Sequence, residues 1–203
     1  MNFPTKEEFI IGVNEYESRE PREAMYRIAT FLVEHFWGDP ADMADSIGVL
    51  LMTWNQAYHR FGEPNYYELE LCISRNFDLI ESYRQRDIFS YTNVDDESII
   101  LLFAHFMEAL IITLKNGQVR RSPVGVSKTL HLLGPEFFPL WDENIAKGYN
   151  YNYANEPFLK YISFCKEMKI FAEQVNDYIE PGNKSIVKII DQYNFAKFTR
   201  GWI

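Results

Sequence analysis

The stretch SPVGVSKTLHLLGPEFFPLWDEN, Ser122 to Asn144, holds the residue types best suited to chemistry: Lys128 early on a short helix and Asp142 just past a proline-broken loop. A lysine amine is a nucleophile once neutral, and positive charge beside it favours that neutral form. Arg120 and Arg121 lie a few positions upstream and are expected to supply such charge. Asp142 stands where an N-cap would precede ENIAKGY, so backbone amides should hold its ionised form. A fixed carboxylate beside an amine suits reaction at a sugar anomeric carbon: the carboxylate stabilises oxocarbenium-like charge and the amine captures the carbon as an imine. Each residue also has an ordinary reading, Asp142 as a helix cap and Lys128 as a solvated helix lysine.

The elements that must position this pair read as helices from end to end. PTKEEFIIGVNEYES opens with Thr5 as N-cap and acids in the first turn. EPREAMYRIATFLVEHFWG starts near Pro21 and stops at Gly38, and DPADMADSIGVLLMTWNQAYHRFG repeats that grammar with Asp39 as cap, Pro40 at the first helical position and Gly62 as terminator. NYYELELCISRNFDLIESYRQR predicts one further long helix. ESIILLFAHFMEALIITLKNG is apolar on nearly every side between Ile99 and Leu114, which predicts a central helix surrounded by others and ended by Gly117. A short helix follows over Pro123 to Leu133, capped by Ser122 and closed by Gly134 and Pro135. Two amphipathic helices flank the break PGN near the C-terminus. No alternating run is long enough to predict a sheet, so the expected fold is all-α: one compact multi-helix domain over residues 1–203, with room for two helical lobes.

Composition narrows the functions. The 203 residues are 47% hydrophobic and include 16 Phe and 13 Tyr, enough buried area to hold a core without disulfides or metal. The two cysteines, Cys72 and Cys165, lie far apart in apolar patterns and read as buried thiols. MNFPTKEEFI has neither the basic start nor the apolar run of a signal peptide, and no stretch approaches a membrane span, so a cytoplasmic protein with no membrane partner is expected. The formal charge of −9 argues against a broad electrostatic grip on nucleic acid. That charge is uneven: residues 1–108 carry 8 Lys and Arg against 20 Asp and Glu, residues 109–135 carry 4 against 0, and residues 136–203 carry 8 against 9. The acid-free window contains Lys115, Arg120, Arg121 and Lys128.

The order of residues in VGVSKTLHLLGPEFFPLWDENI resembles the helix-hairpin-helix DNA glycosylase superfamily, whose motif runs from a glycine-bearing hairpin through a lysine, an apolar helix and a proline-containing loop to an aspartate capping the next helix. The resemblance covers about 25 residues. It implies Gly125 in the hairpin, Lys128 at the Schiff-base lysine and Asp142 at the catalytic aspartate of a base-excision enzyme with abasic-site lyase activity on damaged DNA. Lys115, Arg120 and Arg121 would then contact phosphate. Two departures stand beside the likeness: SPVGVS offers one glycine where the family hairpin presents two, and the 14 positions from Lys128 to Asp142 are fewer than the family usually has.

Other residues fit a pocket or a core. His131, one turn after Lys128, could relay protons there, or pack on the apolar TLHLL face. Trp54 and Tyr58 could stack on an extruded base, yet their spacing of four also suits a core helix face. Phe137, Phe138 and Trp141 could wall the pocket or plug the core. No metal-ligand pattern, phosphate loop or dinucleotide fingerprint occurs, so neither metal nor cofactor is predicted. The reading from a different class is a non-catalytic helical interaction or defence-associated protein with a degenerate glycosylase-like fold, its acidic first half meeting a basic partner. The two readings separate on whether the four cations converge beside a cleft holding Lys128 and Asp142.

Overall fold

A computed structural model describes residues 3–54, 62, 65–114, 116–152, 155–179, 182 and 184–203. Ten α-helices dominate those residues, confirming the all-α class. Helix α1 spans Lys6–Arg19, α2 Ala24–His35, α3 Pro40–Trp54, α4 Tyr66–Arg75 and α5 Phe77–Arg84. After two 3-10 turns come α6, Asp96–Ala109, and strands β1, Ile112–Thr113, and β2, Val119–Arg120. Helices α7, Pro123–Leu133, α8, Glu143–Gly148, α9, Pro157–Val175, and α10, Ile186–Asn194, complete the chain with a π turn at Phe195–Thr199. None of the described helices is long and apolar enough to cross a membrane.

The caps read from sequence form as expected. Thr5 makes a full capping box with Glu8. Asp39 Oδ1 accepts from the amides of Ala41 and Asp42, and Ser122 Oγ accepts from the amide of Gly125. Both cysteines are free and buried, and burial pushes the Cys72 thiol up to about 12.

Five expectations need correction. Helix α2 starts at Ala24 rather than near Pro21, because Glu23 turns the chain in the left-handed region, φ 38° and ψ 39°. The long helix predicted over residues 65–86 is two, broken at Asn76, whose side-chain amide donates to the Cys72 carbonyl at 2.7 Å while its oxygen meets His105 Nδ1 at 2.9 Å. The apolar helix ends at Ala109, not beyond Leu114. Gly117, at φ 79°, turns the chain back so that β1 and β2 pair antiparallel, a small sheet where none was expected. Nor is that helix enclosed on all sides: Ile99, Leu102, Phe103 and Phe106 are fully buried, but Leu101 faces solvent. Residues 55–61, assigned to the continuation of α3, lie outside the described residues.

One continuous hydrophobic cluster joins the helices. Helices α2, α3 and α6 all pack on α7, while α10 packs on α1 and α9. The turn before α2, the C-terminal end of α3, the middle of α7 and the buried face of α10 therefore meet around one cavity.

Candidate active site

Lys128 and Asp142 both line that cavity, which has a volume of about 610 Å³, within the range of small-molecule sites. Helix α7 carries Lys128 past its first turn, and its Nζ donates to the Trp54 carbonyl at the end of α3, 2.6 Å away. Burial pushes the amine down to about 8; Lys188 adds to the depression, while Asp142 and Asp191 oppose it. The sequence reading gave this tuning to Arg120 and Arg121. Those side chains are not among the cavity-lining residues, and Arg121 forms a two-pronged pair with Glu108 at 2.8 and 2.9 Å on the surface.

Asp142 is held at both oxygens. Its Oδ1 accepts from the Ile145 amide at 2.8 Å, the expected cap, and its Oδ2 accepts from Thr199 Oγ1 at 2.7 Å. Thr199 belongs to the π turn, so the C-terminal segment helps orient the carboxylate. The loop before Asp142 is pinned to α7: Ser127 Oγ lies 3.2 Å from the Trp141 carbonyl, and Trp141 Nε1 donates to the Pro123 carbonyl at 3.3 Å. Only 14 positions separate Lys128 from Asp142, and these bonds close that short connection. Trp141 is buried against Tyr161 and Phe164 and is among the residues that line the cavity.

Lys188, which the sequence reading passed over, is the most buried charge in the cavity wall, at 1% exposure. Its ammonium lies 2.7 Å from Asp191 Oδ2 and 3.2 Å from Glu23 Oε1. It also sits over the rings of Tyr16, Tyr26 and Trp54 at 5.3, 4.7 and 5.4 Å from their centroids. Burial would lower its pKa, but the Asp191 and Glu23 carboxylates outweigh burial and hold it protonated. A lysine in an amphipathic pattern reads as solvated. The only sequence signal for its role was Asp191 three positions on, a pairing common on exposed helices.

Trp54 lines the cavity and stacks on Tyr26 with centroids 5.5 Å apart and planes at 7°. Tyr58 and Lys115 lie outside the described residues. Gly125 sits in the first turn of α7 rather than in a hairpin, and its amide is committed to the Ser122 cap, which removes it from phosphate binding through that group. Phe137 and Phe138 are fully buried against Tyr83, in the core and not in the cavity wall.

His131 does not line the cavity either. It is fully buried, with Nδ1 2.8 Å from the Phe138 carbonyl and Nε2 3.0 Å from the Tyr26 hydroxyl. A carbonyl only accepts, so Nδ1 carries the proton and Nε2 accepts from the tyrosine, a bridge rather than a shuttle. Burial pushes this imidazole down to about 3. An unfolded histidine titrates near 6.5, so the unfolded chain binds the extra proton first and stability is lost as pH falls from about 6.5 towards 3. A His131→Leu chain lacks this dependence. Its stability deficit against the wild type, measured by urea unfolding at pH 7 and pH 5, is expected to narrow at the lower pH; an unchanged deficit would contradict the buried neutral imidazole.

The cavity wall carries four basic residues, Arg22, Lys128, Lys188 and Arg200, against four acids, Glu20, Glu23, Asp142 and Asp191. Among the described residues no group of three or more His, Cys, Asp or Glu side chains is placed to hold a metal ion. No family model, no curated protein and no solved structure matches the chain.

Proposed function

We propose that the chain is a base-excision glycosylase-like enzyme that acts at the anomeric carbon of damaged DNA, with Lys128 as nucleophile and Asp142 stabilising the charge that develops on the sugar. The observation that carries this reading is the meeting of Lys128 and Asp142 in one cavity, the amine lowered towards neutrality and the carboxylate fixed at both oxygens. Trp54 supplies an aromatic surface beside the pair, the kind of wall on which an extruded base stacks. Arg22 and Arg200, both exposed and both on the cavity wall, take the phosphate contacts first expected of Arg120 and Arg121.

The test is release of free base from duplexes carrying a panel of damaged bases, with Asp142→Asn as the control. Release from at least one duplex that falls sharply in the variant supports the reading. No release from any, with no salt-sensitive DNA binding, favours the second reading, a non-catalytic interaction protein. A specific surface supports that alternative: Met25, Ile28 and Phe31 recur every three positions on α2 and are about half exposed, at 49%, 54% and 60%. The balance of charge in the cavity wall also gives no broad positive field for a phosphate chain.

A further inference from the structure

We propose that Lys188, clamped between Glu23 and Asp191, is a positioning residue for Lys128: the three side chains form a buried charge cluster that sets the field felt by the Lys128 amine across the cavity. The proposal deepens the reading of Lys128 as a nucleophile, and its test uses no DNA, so failure of the glycosylase assignment would leave it standing.

The two lysines approach one indole, Lys128 Nζ at 5.6 Å and Lys188 Nζ at 5.4 Å from the Trp54 ring centroid. Lys188 has no freedom to leave, because Asp191 holds it from its own helix and Glu23 from the turn before α2. Glu23 is itself fixed, with Gln192 Nε2 donating to its Oε2 at 3.2 Å and Lys184 Nζ at the same distance from that oxygen. It adopts left-handed backbone angles and makes no cap bond for α2. A non-glycine residue in that region is strained and persists only where surrounding structure requires it. Here the turn aims a carboxylate into the cavity wall instead of at the helix amides.

The sign of the control follows from formal charge. Counting Glu23, Lys188 and Asp191 alone, two carboxylates and one ammonium leave the cluster at one negative charge. Removing the ammonium makes it more negative, which favours protonated Lys128; removing Asp191 makes it less negative, which favours the free amine. The other charged groups of the cavity wall, Glu20, Arg22, Asp142 and Arg200, stay constant in this comparison. Tyr16 and Tyr26 face Lys188 from α1 and α2 but remain neutral, since burial pushes both hydroxyls up, Tyr26 to about 12. His131, on the same helix as Lys128, is held neutral by burial.

The experiment is reductive alkylation of the full-length chain with formaldehyde and cyanoborohydride. Aldehyde and free amine condense to an imine with loss of water, and the borohydride delivers hydride to the imine carbon, giving an N-methyl lysine. Peptide mass spectrometry then reads modification of Lys128 from pH 6 to pH 11. The wild-type midpoint is expected near pH 8, below that of exposed lysines. Lys188→Met should raise it and Asp191→Asn should lower it, each by about one pH unit, a roughly tenfold change in labelling on the acid side of the midpoint. The double variant restores the cluster to one negative charge and should return the midpoint towards the wild type. A purely structural role would disturb both single variants in the same direction and would not be repaired by combining them. Midpoints that stay put, move together or fail to return in the double variant would overturn the proposal, as would wild-type Lys128 labelling no earlier than the exposed lysines. Should Lys188→Met not fold, Asp191→Asn and the double variant decide the matter by the same criteria.

Discussion

Replacing Lys188 by methionine is expected to cost about 3–5 kcal/mol of stability at neutral pH, the largest loss from a single change at this site. The methionine fills much of the lysine's volume, so the loss comes from Glu23 and Asp191, whose side chains are only 8% and 12% exposed. With Lys188 present, burial tends to raise the Glu23 carboxyl, but Lys188 and Lys184 outweigh it and hold it below the usual range. A carboxylate lowered in the folded state contributes stability that is present above its unfolded pKa and lost as pH falls through the folded one. In the variant the sign reverses for Glu23, whose carboxylate, left without the Lys188 ammonium, is stabilised by taking up a proton. The gap between variant and wild type should therefore be widest near pH 7 and narrow as pH falls below about 5. Urea unfolding across that range checks it; a gap that is small, or constant with pH, would show that the ion cluster contributes little.

Asp142→Asn carries the largest expected effect on activity. The carboxamide can still accept from the Ile145 amide and meet Thr199, so the cap survives and stability should fall by no more than about 1 kcal/mol. The negative charge is lost, and with it, under the proposed function, the stabilisation of positive charge at the sugar. Removing one preorganised electrostatic group of this kind typically slows reaction by about 100–1,000-fold. Base release under single-turnover conditions, compared with thermal unfolding of the same preparations, separates the two effects. Full rate at equal stability would reduce Asp142 to a helix cap.

The parts of this fold that were legible in the sequence are those fixed by local chemistry. Thr5, Asp39, Ser122 and Asp142 announce their helices because a short polar side chain satisfies amides within three positions of itself. The parts that were not legible depend on distant residues. Asn76 breaks a helix by bonding back to Cys72 and across to His105, and nothing in SRNFDL marks it. The end of α6 at Ala109 reflects pairing of Ile112 and Thr113 with Arg120 and Val119, in which a short hairpin competes with continued helix.

The same division runs through the site. Lys128 and Asp142 could be selected because their order and the proline-containing loop between them are local features. Their meeting in a cavity could not, since it needs the end of α3, the turn at Glu23 and the buried face of α10 to arrive together. The cationic window misled for a similar reason. Adjacency in sequence placed Arg120 and Arg121 beside Lys128, whereas folding sends Arg121 to Glu108 and brings in Lys188 from 60 positions away. His131 lies one turn from Lys128 on α7, yet it bonds to Phe138 and Tyr26 in the interior, so proximity along a helix did not give it a place in the cavity.

Under the proposed function the Lys128 amine attacks an anomeric carbon. Borohydride trapping on duplex DNA carrying an abasic site tests it most directly, because reduction fixes the imine to whichever amine formed it. A covalent protein–DNA adduct is expected that maps to Lys128, forms more readily as pH rises through about 8, and is absent from a folded Lys128→Gln chain. No adduct with the wild type, or an undiminished yield with Lys128→Gln, would contradict it.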